Sequence, residues 1–349
     1  MIRKLAILFI LSSILVYFSN LFAQESWRER AREGWQSKKQ IRKGAPLNSG
    51  LFGSGDYEFS IQHGGLERKY YIHVPPSYKS TLPTALILNF HGGSGSPQGH
   101  RKITQMDNTS DKEGFIIAYP RGTRPDADTK KILQRFWNPG KGPAGYFNVK
   151  ISHIDDIGFV DKMLDDIESK FNIDKMRIYA TGFSNGAGLT YALACNLSNR
   201  IAAIAPVGCP FWNFPESCNP QRPVSIIYFH GTSDKCAPYN GGPSGCEAGI
   251  ASSGRVFISA QDTINIWKEK NGCSGSQEIT YQRGEVTCKT YKQCNQGAEI
   301  TFCEIKDGGH TWPGGLPYKL PGSDVGKTTY DISADDAMWA FFKRHTLEN

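Results

Sequence analysis

The sequence predicts an α/β fold, with a mostly parallel central sheet, helices on both faces and loops decorated by disulfides. Three observations carry this reading. Short, nearly continuous apolar runs such as Ala85-Leu86-Ile87-Leu88-Asn89-Phe90 read as strands buried on both sides. Segments with apolar residues at helical spacing, such as Ile157, Val160, Met163, Leu164 and Ile167, alternate with them. Neither a repeat nor a low-complexity linker divides the stretch from about residue 55 to the C-terminus, so one domain accounts for it.

The elements follow in order. Tyr57 to Gln62 and Lys69 to Val74 alternate apolar and polar residues around Gly64-Gly65, which predicts an opening hairpin, and Pro75-Pro76 ends it. The buried strand from Ala85 to Phe90 leads into His91-Gly92-Gly93-Ser94-Gly95-Ser96, and Phe115 to Tyr119 is the next strand. Asp155-Asp156 precede an amphipathic helix from Ile157 to Phe171, favoured by acidic residues in its first turn. Arg177 to Thr181, Ile201 to Val207, Val224 to Phe229 and Glu299 to Ile305 read as strands. Ala187 to Leu197 and Asp262 to Lys270 read as helices, and a last helix starts at Ser333 and Asp336 and ends near Arg344.

Residues 1–23 have a basic head at Arg3-Lys4, an apolar run from Leu5 to Val16 and a small residue, Ala23, before polar chain. That is the pattern of a secretory signal peptide, and the run is too short to span a bilayer, so no stable membrane insertion is expected after its removal. Nine cysteines fit a secreted or periplasmic protein. The expected bridges are Cys209–Cys218, Cys236–Cys246, Cys273–Cys294 and Cys288–Cys303, with Cys195 left free on an apolar helix; spacing alone admits other pairings. With no Cys-x-x-Cys pair, a zinc ribbon or a thioredoxin-like centre is not expected.

The net charge of +7 falls to +5 once Arg3 and Lys4 leave. Residues 24–43 hold seven basic and three acidic side chains, so the excess sits in a leader over 24–54, ahead of a catalytic domain over 55–349. The leader reads either as a solvated segment or as a contact for an anionic polymer or cell surface, and the chain has no nucleic-acid footprint.

Between a predicted strand and a predicted helix stands Gly182-Phe183-Ser184-Asn185-Gly186, where glycines let a tight turn project the serine hydroxyl. A hydroxyl needs a base, and the base an orienting acid. Val224 to Phe229 runs into His230-Gly231-Thr232-Ser233-Asp234, and Glu299 to Ile305 into Asp307-Gly308-Gly309-His310-Thr311-Trp312. Nucleophile Ser184, acid Asp234 and base His310 thus come in the chain order of the α/β-hydrolase fold. Oxyanion donors are expected from the backbone N–H groups of Asn185 and of Gly93, whose glycine-rich loop lacks the lysine of a phosphate-binding loop. His91 and His230, each before a glycine at a strand end, read as loop braces. Trp137 and Trp312 are candidate aromatic walls of a substrate site, with core packing as the other reading. No cofactor and no metal are called for.

Taken together, Arg68-Lys69-Tyr70-Tyr71-Ile72-His73-Val74-Pro75, the His91-Gly92-Gly93 loop, Asp155-Asp156-Ile157-Gly158-Phe159, the serine elbow, the His230 to Asp234 segment, Pro238-Tyr239-Asn240-Gly241-Gly242 and Gly308-Gly309-His310-Thr311-Trp312-Pro313-Gly314-Gly315 resemble one known group. It is the secreted esterase and poly(3-hydroxybutyrate) depolymerase family, close to the feruloyl and acetylxylan esterases of carbohydrate esterase family one. The resemblance runs from about Leu66 to Phe342. It implies a cofactor-free α/β-hydrolase that cleaves carboxylic esters, including polymeric ones, through an acyl-enzyme on Ser184, Asp234 and His310. Lys141 to Ser152 and the Cys236 to Cys246 loop depart from the family pattern, which leaves the acyl group and polymer open. Feruloyl or acetyl esters of plant polysaccharide stand first, a polyhydroxyalkanoate or other polyester second. A peptidase and an inactive polymer-binding homologue are the rivals.

Overall fold

The apolar runs become neighbouring strands of one eleven-stranded sheet. The computed structural model describes residues 42–43, 52–124, 135–140, 153–211, 215–246, 256–319 and 323–348. The expected signal peptide, most of the leader and the Lys141 to Ser152 loop lie outside them. Residues 42–349 cluster as one unit.

The strands are β1 Arg42–Lys43, β2 Gly55–His63, β3 Leu66–Val74, β4 Thr84–Phe90, β5 Ile116–Pro120, β6 Ile173–Phe183, β7 Ala203–Val207, β8 Ser225–Gly231, β9 Gly242–Pro243, β10 Val256–Phe257, β11 Glu278–Arg283, β12 Val286–Tyr291 and β13 Ile300–Ile305. The helices are α1 Pro97–Thr104, α2 Met106–Glu113, α3 Asp156–Glu168, α4 Asn185–Asn196, α5 Ala260–Lys270 and α6 Ala334–Phe342. The main sheet runs β1-β2-β3-β5-β4-β6-β7-β8-β13-β12-β11, while β9 and β10 form a separate antiparallel pair. From β5 through β13 every neighbouring pair is parallel, and antiparallel hairpins flank that block at β2–β3 and at β11–β12 with β13. This is the α/β-hydrolase architecture.

Alternation along β4 distributes the core. Leu86, Leu88 and Phe90 join a cluster with Phe159, Val160, Met163, Leu164 and Ile167 of α3, Leu189 of α4 and Trp267 of α5. Ala85 and Ile87 join Met338, Trp339, Phe341 and Phe342 of α6 on the other face. Two caps match the sequence signals, with Asp155 accepting from the Gly158 N–H at 2.8 Å and Ser333 from the Asp336 N–H at 3.2 Å, while α5 starts ahead of the expected Asp262, behind a capping box of Ser259 and Asp262. Among the described residues, no helix is long and apolar enough to cross a membrane.

Chain direction fixes where a ligand can bind. From β4 the chain moves to β5 on one side, and from β6 to β7 on the other, although β4 and β6 are adjacent. The carboxyl ends of β4 and β6 therefore diverge into a crevice, and His91 to Ser94 and Ser184 both lie there.

The disulfides correct one expected bridge. Cys236–Cys246, Cys273–Cys294 and Cys288–Cys303 form as expected, but Cys218 joins Cys195 and Cys209 takes part in no disulfide. Cys195 is the penultimate residue of α4, where it reaches the turn that holds Cys218. Cys209 follows β7 and is buried with Ala187, Ala237 and Phe257. Cys288–Cys303 is not a loop staple, since the two residues face each other across β12 and β13.

Helices α1 and α2 escaped the sequence reading, as did the β11–β12 hairpin and the short strands β1, β9 and β10. The inward positions of α1 and α2 are largely polar, with Pro97, His100, Thr104, Thr109 and Ser110 buried, so no apolar period marks them. These helices are fixed by charge. Asp56 faces His73 across the hairpin, and His73 bonds Asp56 at 2.7 Å and Asp111 of α2 at 2.9 Å, while Arg101 of α1 reaches Asp56 at 2.8 Å. Burial works against the Asp56 charge, but the His73 hydrogen bond and Arg101 outweigh it and hold the carboxyl at about 2.

A carboxyl lowered on folding stabilises the protein above its unfolded value, near pH 4, and loses that contribution as pH falls toward the folded value. Asp56→Asn should therefore lower unfolding free energy by about 1 to 2 kcal/mol at pH 6, with the deficit fading between about pH 4 and 2. Urea unfolding across that range checks it; a deficit that persists unchanged at pH 2 contradicts the account.

Candidate active site

The turn between β6 and α4 is where the backbone is most constrained. Ser184 sits at φ 53° and ψ −116°, a conformation L-residues rarely adopt, which costs on the order of 1–3 kcal/mol. Its amide donates to the Val207 carbonyl at 2.9 Å. The flanking glycines are steric necessities: a Cβ on Gly186 would lie 2.3 Å from the Phe90 carbonyl oxygen, and one on Gly182 would lie 2.5 Å from the Gly186 backbone.

Two further loops converge from the ends of β8 and β13. A Cβ on Gly231 would lie 2.2 Å from the Gly308 oxygen, so both loops need glycine to approach this closely. The contact brings Asp234 and His310 together, with Nδ1–H of His310 donating to Asp234 Oδ2 at 2.7 Å and both residues 4% exposed. The other carboxylate oxygen accepts the backbone N–H groups of Cys236 and Ala237, each at 2.8 Å. Burial pushes the Asp234 carboxyl up, yet the charge of His310 and hydrogen bonds from His230 and His310 win and hold it well below the usual carboxylate range. An ionised Asp234 fixes the proton on Nδ1 of His310 and leaves Nε2 as the acceptor.

Around His310 the structure is closed on three sides. Its ring lies 4.7 Å from that of Phe183, the Tyr318 hydroxyl donates to its carbonyl at 2.8 Å, and its amide donates to the Val325 carbonyl at 2.6 Å. Ser184 thus shares a corner with His310 through Phe183 and Gly208, whose Cβ would lie 3.6 Å from His310 Nδ1. Among the described residues no hydrogen bond joins Ser184 to His310; such bonds tighten when substrate enters. Asp234, Cys236 and His310 are also grouped closely enough to suggest a metal, but the Cys236 sulfur is bound to Cys246 and the other two residues hold each other.

The loop after β4 supplies the remaining wall. Built Cβ atoms place Gly92 3.5 Å from Ser184 Cβ and Gly93 3.6 Å from Asn185 Cβ. Among the described residues, the Gly93 and Asn185 amides have no hydrogen-bond partner, whereas the Ser94 amide donates to the Arg135 carbonyl at 2.8 Å. His91 braces this loop: Nδ1–H donates to the Gly92 carbonyl at 2.7 Å and Nε2 accepts the Gly122 amide at 3.0 Å. Burial lowers its imidazole to about 4, so it stays neutral and keeps both bonds. His230 is a brace too, with Nε2 2.8 Å from the Ala237 carbonyl and 3.3 Å from Asp234.

The two candidate tryptophan walls are corrected. Trp137 is 0% and Trp312 1% exposed, and their indole N–H groups donate to the His91 carbonyl and to Asp335, both at 2.9 Å. Each is packed beneath the site, where an indole with a satisfied N–H buries the most apolar surface. No sequence pattern marks the side chain of Asn185, whose amide clamps the Trp137 backbone with Oδ1 accepting its N–H at 2.7 Å and Nδ2 donating to its carbonyl at 3.0 Å. Tyr318, half-buried beside Phe183 with ring centroids 5.9 Å apart, was also missed; an aromatic residue in a chain segment without periodicity carries no signal of what it faces.

No protein-family model matches the chain. It is 29% identical over 246 residues to feruloyl esterase B of Piromyces equi, an alignment of 70% of this chain that spans only 42% of that longer protein. To feruloyl esterase D of Neurospora crassa it is 30% identical over 288 residues, covering 80% of this chain and 83% of that one. Among solved structures, an acetyl xylan esterase from Aspergillus awamori matches with TM-score 0.52 at 16% identity, over 82% of this chain and 99% of that one, a likeness of fold.

Truncating Asn185 to alanine strands the buried N–H and carbonyl of Trp137. The expected loss is about 2 to 4 kcal/mol of unfolding free energy, read from denaturant melts, because each buried unpaired group costs about 1 to 3 kcal/mol. A loss under about 0.5 kcal/mol would show that the clamp is not stabilising.

Proposed function

We propose, since the chain belongs to the feruloyl esterase family of α/β-hydrolases, that it is a serine carboxylic-ester hydrolase acting on feruloyl or acetyl esters of plant polysaccharide. The observation that carries the reading is the 2.7 Å bond from His310 to a buried, ionised Asp234, delivered by two strand ends to a strained serine turn. Relatives named feruloyl esterase put plant esters ahead of polyesters.

In this mechanism Ser184 Oγ attacks the ester carbonyl carbon while His310 Nε2 takes its proton. Asp234 keeps the imidazole in register and stabilises the imidazolium. The carbonyl oxygen gains negative charge and receives the N–H groups of Gly93 and Asn185; one such donor is worth about 3 kcal/mol of barrier. His310 returns the proton to the departing alcohol oxygen and leaves an acyl-enzyme. Water then repeats the attack with His310 again as base, and the carboxylic acid departs. Neither donor needs to reorganise, because the Asn185 clamp on Trp137 and the His91 brace hold both backbones in place. The four disulfides favour an oxidising compartment, in keeping with secretion or a periplasmic location.

Ser184→Ala should abolish turnover of p-nitrophenyl acetate and methyl ferulate with the unfolding midpoint preserved, and Asp234→Asn should cut kcat by about four orders of magnitude. Initial rates on p-nitrophenyl acetate, p-nitrophenyl butyrate and methyl ferulate rank the acyl group. Substantial hydrolysis by Ser184→Ala contradicts the nucleophile, and a lead for butyrate moves polyester ahead of plant esters.

A further inference from the structure

A group of arginines lies against the loop that carries Gly93. Arg121, Gly122, Thr123 and Arg124 leave the carboxyl end of β5, and Thr123 pairs with Phe136 through two backbone bonds, at 3.1 and 2.9 Å. Arg135 precedes Phe136 on the opposite strand, and its Nη1 donates to the Gly122 carbonyl at 3.1 Å. This ribbon is joined to the oxyanion loop by the Gly122 amide on His91 and the Ser94 amide on the Arg135 carbonyl. Phe136 completes the contact, with a Cβ built on Gly93 lying 3.0 Å from its ring.

All three guanidinium groups are half-buried, and among the described residues none has a carboxylate within ion-pair distance. By contrast, Arg68, Arg101, Arg177 and Arg200 each hold at least one aspartate, and Arg222, which has none, donates to four backbone carbonyls. Two adjacent buried polar atoms here, Thr123 Oγ1 and Arg124 Nε, have no partner, and a buried donor of that kind is costly unless something supplies the acceptor. The charges act on one another: burial and the repulsion of Arg121 and Arg124 lower the Arg135 guanidinium to about 10. Three like charges held together with no carboxylate partner among the described residues attract an anion, and forked guanidinium donors match a carboxylate in particular.

We propose that Arg121 and Arg124, supported by Arg135, form a carboxylate subsite beside the oxyanion loop that selects ester substrates whose sugar chain carries a uronic acid. The subsite rests on the esterase reading for the nature of the ester and adds the class of polymer. Its position sets the geometry: the carboxylate binds on the β5 side of the crevice while the ester carbonyl lies at Ser184, so the acid belongs to the sugar chain near the esterified position. Arg135 is a positioning residue, since its Nη1 is committed to Gly122.

The test uses the full mature chain carrying Ser184→Ala, so that binding is read without turnover. Its ligand is a xylo-oligosaccharide with one uronic acid branch, compared by calorimetry with the same oligosaccharide after reduction of the carboxyl to an alcohol. The acidic form should bind about tenfold more tightly at low salt, the worth of one charge-assisted hydrogen-bonded contact. That preference should shrink as salt rises from about 20 to about 300 mM. Adding Arg121→Gln and Arg124→Gln should reduce the preference to under about threefold, whereas Arg283→Gln on β11 should retain it. Should the double variant fail to fold, Arg124→Gln alone must still lower the preference. Equal binding of the two oligosaccharides, or a preference that survives the double substitution, overturns the subsite. The two readings fail separately: a Ser184-dependent esterase without acid preference removes only the subsite, and acid-selective binding by a chain that hydrolyses no ester removes only the esterase.

Discussion

The candidate site depends on one close approach, the start of α4 against the end of β4. A single methyl group at Gly186 would overlap the Phe90 carbonyl, so the helix can begin where it does only because that residue has no side chain. From this contact follow the strained Ser184, the position of Asn185 beside Gly93, and the reach of the Asn185 amide to Trp137. Energy spent in the serine turn is recovered in packing, for nearly all of α4 is buried.

The Asp234–His310 pair obeys the same logic with different chemistry. Gly231 and Gly308 let two loops meet, and the Asp234 carboxylate then gathers donors from His310, Cys236 and Ala237. Each donor offsets part of the cost of burying a charge, and together they keep it ionised. His91 shows the converse, since its hydrogen bonds need one nitrogen as donor and the other as acceptor, and burial keeps it in that neutral form.

Much of this was legible in the sequence because it depends on local pattern. Strands buried on both faces appear as unbroken apolar runs, so β4, β5, β7 and β8 were placed within a residue or two. Glycines at sharp strand ends marked Ser184, Asp234 and His310. What was hidden depends on which surfaces meet in three dimensions. Helices α1 and α2 bury polar residues, and their apolar pattern is correspondingly weak. Cys195 and Cys209 are both near Cys218 in the chain, and only the direction of α4 decides between them. Trp137 and Trp312 looked equally suited to a ligand or to the interior, and the acceptors His91 and Asp335 that draw them inward are distant in sequence.

The Cys236–Cys246 disulfide has a practical meaning for anyone producing this protein. Cys236 is also the residue whose backbone amide holds Asp234, so the cross-link anchors one of the donors on which the acid's charge relies. Reduction there would slacken that donor, and neither cysteine belongs to the main sheet or to the two large hydrophobic clusters. Under the proposed mechanism a preparation from a reducing host would be folded yet weakly active, and its specific activity would gauge its oxidation history.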